Sequence, residues 1–261
     1  MRLGLVEMPA EQLAAPALVL APHPDDETLG CGGTIVKKRR AGARVQVAFL
    51  TDGRAPHARF LGEGRIAELR RSEAMDACAA LGLHTDDLVF LDYEDGALAE
   101  HAAAVEADVA ALIRELRPTQ VFAPCPWDVW PDHLTTAAVA AAAIARTGGV
   151  ATLLGYAIWF WDRWPWTPSS PYGPLPLPRK LARAVVGHWR LWRRFTLGVA
   201  LGDALEDKRA AFARHRSQIA RLVDDPDWPV LGEVAGGRLL PMLLGELEVF
   251  APAGPHDPPL A

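Results

Sequence analysis

Four apolar runs in the first half of the chain, ALVLA (17–21), RVQVAFL (44–50), DLVFLD (87–92) and QVFAP (120–124), alternate with longer stretches of helical periodicity at about 28–41, 64–82, 99–117 and 133–147. Short apolar runs without polar alternation read as strands covered on both faces, and strand–helix alternation at this spacing predicts a mainly parallel sheet with helices on either side. The expected fold class is therefore α/β and doubly wound. In such sheets functional groups collect in the loops that follow the carboxyl ends of the strands. The polar stretches obey that rule: HPDDE follows the first strand, TDGR the second, YEDG the third and PCPWDVWPDH the fourth.

The regular alternation stops at WFWDRWPWTPSSPYGPLPLP (159–178), where clustered prolines rule out a regular helix or a central strand and predict a long irregular loop. Beyond it, Leu181, Val185, Trp189, Trp192, Phe195 and Val199 recur at helical spacing, so RKLARAVVGHWRLWRRFTLGVAL (179–201) is expected to be one amphipathic helix. A helix over 203–223 and a strand over 245–252 complete the expected element list. At 261 residues, the chain is read as a single domain over 1–261 with a Pro/Trp-rich insert at about 159–200.

A net charge of −5 argues against general nucleic-acid binding. No apolar run reaches the length of a membrane span, and residues 1–27 lack a basic segment followed by a long apolar one, so a cytoplasmic location is expected. Cys31, Cys78 and Cys125 are odd in number and form no CxxC pair, which points to packed thiols rather than disulfides or a cysteine metal site.

The stretch APHPDDETLGCGGT (21–34) concentrates ionisable groups at the end of the first strand. Pro24 disfavours helical geometry at His23, placing the imidazole on extended backbone. His23 and Asp26 can then face a common centre, and an imidazole with a carboxylate suits Zn²⁺; His133 in the fourth loop offers a third ligand and leaves a position for water. Asp25, between them, faces another direction and is free to act as a general base. Two other readings of the stretch remain: Asp25, Asp26, Glu27 and Thr28 as helix caps, and GCGGTI as a dinucleotide fingerprint. Caps leave His23 and the distant PDH unexplained, and Ile35 stands where the fingerprint needs its third glycine.

APHPDDETLGCGGT resembles the A-H-P-D-D-E signature of the LmbE-like, or PIG-L, family of zinc-dependent N-deacetylases, and LTDG (50–53), RRSEAMDACAALG (70–82), LDYEDG (91–96), WDVWPDH (127–133) and KRAAFARHRSQ (208–218) follow in the family's order. The resemblance implies a Rossmann-like fold and removal of an acetyl group from an amino sugar, often N-acetylglucosamine in a larger conjugate. Carried over by position, His23, Asp26 and His133 resemble the zinc ligands and Asp25 the general base. Arg70 and Asp95 fall in family blocks and are expected to shape the substrate site; the alternative for Arg70 is a surface pair with Glu73, three residues on. One position departs: Trp130 stands where the family pattern D-x-H-x-D-H has its first histidine, and an indole N–H can donate a hydrogen bond but cannot exchange a proton near neutrality. His215 is the first candidate to replace that acid, His57 the second, and Asp25 acting as base and then acid needs no replacement.

Trp130 is expected to contact substrate, while Trp127, Trp159, Trp161, Trp164 and Trp166 serve either as sugar platforms or as a small core beneath the loop. Arg179, Lys180, Arg183, Arg190, Arg193 and Arg194 surround the apolar stripe of the next segment, so 179–200 is either a solvated outer face or a peripheral contact with an anionic membrane or substrate. The expected partner is a small amino-sugar or glycoconjugate substrate, and the expected cofactor is Zn²⁺, with Fe²⁺ or Co²⁺ suited to the same ligands. The rival readings are hydrolysis of an acylated natural product or antibiotic, and a metal-holding sugar-binding protein without turnover.

Overall fold

A computed structural model describes residues 5–161 and 177–253, with the side chains of 177, 179–184 and 253 left aside. Trp164 and Trp166, and the side chains of Arg179, Lys180, Leu181 and Arg183, lie outside the described residues.

The amino-terminal part runs β1 (Val6–Glu7), α1 (Ala10–Leu13), β2 (Ala17–Ala21), α2 (Asp26–Arg40), β3 (Val45–Thr51), α3 (Ala58–Leu61), α4 (Glu63–Ala80), β4 (Leu88–Tyr93), α5 (Ala102–Leu116), β5 (Gln120–Pro124) and α6 (Pro131–Arg146). It continues through β6 (Thr152–Tyr156), α7 (Leu177–Arg194), β7 (Leu197–Ala200), α8 (Ala204–Phe212), α9 (Arg216–Ile219), α10 (Leu239–Leu243) and β8 (Leu247–Ala253). The eight strands form one sheet in the order β1-β7-β8-β6-β5-β2-β3-β4. Strands β4, β3, β2, β5 and β6 are mutually parallel, whereas β8 runs antiparallel to both β6 and β7.

Side chains of β2 alternate between two cores. Val19 and Ala21 pack with Leu29, Ile35, Ala74, Ala77 and Phe212 on one face. Leu18 and Leu20 pack with Val105, Val109, Val139 and Ala143 on the other. Helices α2, α4 and α8 thus cover one side of the sheet and α5 and α6 the other, which is why β2 carries no polar residue. The chain order reverses between β2 and β5, so their carboxyl ends part and open a crevice between the two loops that follow them.

Three strands were not expected from the sequence: β1, β6 and β7. The single helix expected over 179–201 stops at Arg194, and Phe195 and Val199 turn into the core through β7 rather than extending the helix face. The helix expected over 203–223 breaks after Phe212, so His215 sits at the amino end of the short α9 instead of on a continuous helix.

Helix α2 is kinked at Cys31 (φ −150°, ψ 22°). Glu248 of β8 accepts the amides of Gly33 (2.9 Å) and Thr34 (2.8 Å), and Lys208 donates to the Leu29 carbonyl (3.0 Å) and to Glu248 (2.7 Å). Backbone groups on both sides of the kink are thereby satisfied by one buried ion pair, as buried polar groups require. A methyl at Gly30 would collide with the Tyr156 ring and one at Gly33 with Leu201, so these glycines serve close packing of α2 on the sheet.

Candidate metal centre and substrate cavity

His23 lies in a bend just past β2 and ahead of Pro24, where its carbonyl accepts from the Asp25 and Asp26 amides, Asp26 begins α2, and His133 lies in the first turn of α6 after β5. Asp26 Oδ2 lies 3.2 Å from His23 Nδ1, 3.4 Å from His133 Nε2 and 2.9 Å from the His23 amide, which donates to it. Four donors at zinc bond lengths of ~2.0–2.1 Å around a tetrahedral centre are separated by about 3.3 Å, so the observed spacings suit a single small cation. His133 Nε2 is buried without a hydrogen-bond partner, as expected of an atom whose partner is a metal. One donor from each of the three residues lies within 4.8 Å of the others.

The far ring nitrogens are held by other carboxylates. His133 Nδ1 is 3.0 Å from Asp128 Oδ2, and His23 Nε2 is 3.1 Å from Asp95 and 3.3 Å from Asp132. Such contacts fix the tautomer and ring orientation and make the ligating nitrogen more basic. His23, Asp95 and Asp132 form a second group of possible ligands. Their oxygens, however, are already engaged: Asp132 accepts from the Gly96 (2.8 Å) and Leu98 (3.2 Å) amides, and Asp95 from the Ala55 amide (2.9 Å). A satisfied group of acceptors orients His23; the group with the orphaned imidazole nitrogen is the one whose geometry suits a metal.

Charge makes the same point. Asp25, Asp26, Asp95, Asp128 and Asp132 converge here, and the permanently cationic side chain paired with one of them, Asp25, is Arg70. Burial depresses the basicity of His23 and His133, but the surrounding carboxylates outweigh it and raise both. Burial opposes ionisation of Asp95 too, yet His23 brings it down to about 2. The centre calls for positive charge, which a divalent cation supplies with both imidazoles neutral.

Asp25 is buried beside these residues and lines one cavity with His23 and Asp26. Burial pushes its carboxyl up to about 6, against the opposing pull of Arg70. Arg70 Nη2 lies 3.1 Å from Asp25 Oδ2 and donates to the Pro24 carbonyl (2.7 Å), while Nη1 donates to the Gly53 carbonyl (2.8 Å). Gly53 has φ +66° and leaves no space for a side chain between Pro24 and the guanidinium. The expected alternative of a surface pair between Arg70 and Glu73 does not form: Arg70 is buried against Asp25, and Glu73 instead accepts from the Ser217 amide (2.8 Å) and hydroxyl (2.6 Å).

A cavity of about 560 Å³ opens over the centre, with His23, Asp25, Asp26, Arg70, Asp95 and Trp130 among its lining residues. Trp130 is 43% exposed at the amino end of α6 and meets Trp159 edge-on, with ring centroids 5.8 Å apart. His215 does not line the cavity: it is fully buried, with Nε2 3.1 Å from Glu27 Oε1 and 3.4 Å from Thr28 Oγ1. His57 does line it, and its Nε2 donates to the Pro229 carbonyl (3.0 Å), leaving Nδ1 as an acceptor without a partner. Burial lowers its basicity, keeping the ring neutral near neutral pH.

Sequence reasoning did not assign the orienting contacts of Asp95, Asp128 and Asp132, although all three lie within or beside recognisable motifs. It had no signal for Ile158, Leu231 and Val234, which reach the cavity from late segments without chemical character of their own.

The sequence profile of a family described as "PIG-L: GlcNAc-PI de-N-acetylase" matches residues 18–144. A probable N-acetyl-α-D-glucosaminyl L-malate deacetylase of Bacillus cereus is 33% identical over 49% of this chain and 60% of its own length, so the chain spans less than two thirds of that relative. A 1D-myo-inositol 2-acetamido-2-deoxy-α-D-glucopyranoside deacetylase of Mycobacterium sp. (strain JLS) is 31% identical over 80% of this chain and 76% of its own. Among solved structures, the N,N'-diacetylchitobiose deacetylase of Pyrococcus horikoshii shares the fold, with a TM-score of 0.65 and 22% identity over 92% of this chain and 84% of the other.

Proposed function

Because the chain belongs to the PIG-L family, we propose that it is a metal-dependent N-deacetylase acting on the acetamido group of an amino sugar within a glycoconjugate. The observation that carries this reading is the convergence of His23 Nδ1, Asp26 Oδ2 and His133 Nε2, each imidazole backed by a carboxylate, with Asp25 in the same cavity. The names of the relatives support the substrate half: all contain an N-acetylated amino sugar, on different partners.

His23, Asp26 and His133 would hold Zn²⁺, whose charge would acidify water and withdraw electrons from an amide carbonyl. Asp25 takes the proton from the attacking water and returns it to the departing amine, so acetate and a free amino sugar leave. Arg70 keeps the Asp25 carboxylate ionised and aimed. Asp95, Asp128 and Asp132 fix the two imidazoles. His215 lies outside the cavity, Trp130 cannot exchange protons and His57 donates its N–H to the Pro229 carbonyl, which leaves Asp25 best placed for both transfers.

The test is acetate release from N-acetylglucosamine conjugates by zinc-loaded wild type and Asp25→Asn, with metal content measured on both. Turnover by wild type, and a loss of about 10²–10⁴-fold in a variant that retains its metal, is expected of a general base. Metal retention by both without acetate release from any conjugate would overturn the proposal in favour of a binding protein.

A further inference from the structure

The cavity lining is of two kinds. His23, Asp25, Asp26, Arg70 and Asp95 are ionisable, whereas Leu29, Ile158, Trp159, Val230, Leu231 and Val234 are apolar, and all of the latter but Val230 belong to or pack on one hydrophobic cluster. Leu29, Ile158 and Leu231 are almost wholly withdrawn from solvent although they border the cavity. Apart from Leu29, these residues lie outside the 18–144 segment that the family profile matches.

Several of the polar side-chain atoms that line the cavity are already engaged by the protein. The guanidinium nitrogens Nη1 and Nη2 of Arg70 are engaged by backbone carbonyls and Asp25, Asp95 by His23 and the Ala55 amide, and Gln218 Nε2 by Ser217. His57 Nδ1 and Arg70 Nε have no partner. A bare pyranose carries hydroxyls around its whole ring, and pressing them against aliphatic side chains without compensating hydrogen bonds is costly. An apolar group against the same wall gains by its removal from water.

Resting on the deacetylase reading, we infer that the substrate carries an apolar group next to the scissile amide and that this group lies along the Leu29–Ile158–Leu231–Val234 wall. Two sources share that chemistry: an aliphatic aglycone on the amino sugar, or an N-acyl chain longer than acetyl. The wall then selects substrate, while the polar side is common to any acetamido sugar.

The experiment uses the zinc-loaded full chain and two matched pairs: methyl and hexyl glycosides of N-acetylglucosamine, and methyl glucosaminides bearing N-acetyl or N-hexanoyl, all read by release of the free amine. A six-carbon member of at least one pair is expected to exceed its short counterpart by at least about tenfold in kcat/KM, the discrimination that even one or two methylenes achieve in an apolar pocket. The pair that responds identifies the source. Leu231→Asn is expected to erase most of that advantage, and Val234→Thr, which keeps the side-chain shape while adding a hydroxyl, to reduce it if the asparagine variant does not fold.

Amine release with equal kcat/KM within both pairs would overturn the inference and leave the deacetylase reading standing. Absence of amine from every compound would instead count against the deacetylase reading. The wall would then be judged by binding of the methyl and hexyl glucosaminides, followed through tryptophan fluorescence: tenfold tighter hexyl binding supports it, and equal affinity overturns it.

Discussion

The polar floor and the apolar wall of the cavity are built by different means. The floor comes from the ends of adjacent parallel strands, where His23, Asp26 and His133 sit within one turn of a helix start and the orienting carboxylates come from the segment after β4 (Asp95), the segment after β5 (Asp128) and the first turn of α6 (Asp132). Wall residues Ile158, Leu231 and Val234 come from irregular segments after β6 and before α10. The contrast teaches that chemistry demands donor atoms in fixed places, whereas selection of an apolar group demands only withdrawn surface. The first constrains residue type at each position; the second is met by many sequences.

The sharpest way to break the comparison is to remove the cation. Chelation is expected to take amide hydrolysis to background and zinc to restore it, with circular dichroism unchanged, because both cores lie within the sheet layers rather than at the centre. Full activity after verified metal removal would refute a metal-dependent floor. Asp128→Asn comes next: losing the carboxylate behind His133 Nδ1 is expected to weaken zinc affinity by about 10–100-fold, measured by competition with a chromophoric chelator. An unchanged affinity would show that Asp128 does not orient the ligand.

Arg70→Gln tests the floor's electrostatics. In the proposed mechanism the base is the ionised carboxylate of Asp25, and Arg70 favours that form against burial. Removing the guanidinium therefore raises the pKa of Asp25, so the acid limb of kcat/KM should move to higher pH by about 1 unit or more. A shift toward lower pH, or none, would mean that another group governs the limb. The smallest effect is expected at the rim, where Trp130→Ala removes an edge-on partner of Trp159; KM should rise about 2–10-fold with little change in kcat, since an aromatic contact is worth ~0.5–1.5 kcal/mol beyond its area.

Strands β2 to β5 and their helices were legible because each apolar run is short, continuous and closed by a polar loop. Strand β6, TLLGY, follows two glycines and contains another, which lowers strand propensity; only pairing with β5 and β8 makes it a strand. Strand β7, LGVA, continues the spacing of the preceding helix closely enough to be read as part of it, and hydrogen bonds from the distant β8 decide otherwise. The break after Phe212 has a similar origin. Glu73 captures the Ser217 amide and hydroxyl, and Glu27 captures His215, so contacts across the fold replace the next helical turn.

The sequence by itself determined the doubly wound frame and singled out His23, Asp26 and His133, which the fold brings together, because strand–helix periodicity and ionisable groups at strand ends are local properties that a linear reading preserves. Only the tertiary structure decided which nitrogen of each imidazole faces Asp26, that Arg70 meets Asp25 rather than Glu73, that His215 lies outside the cavity, and that aliphatic residues share the cavity with the carboxylates. Those outcomes depend on side chains far apart in the chain meeting in a dry interior, where each buried polar atom must find a partner and each apolar surface a neighbour.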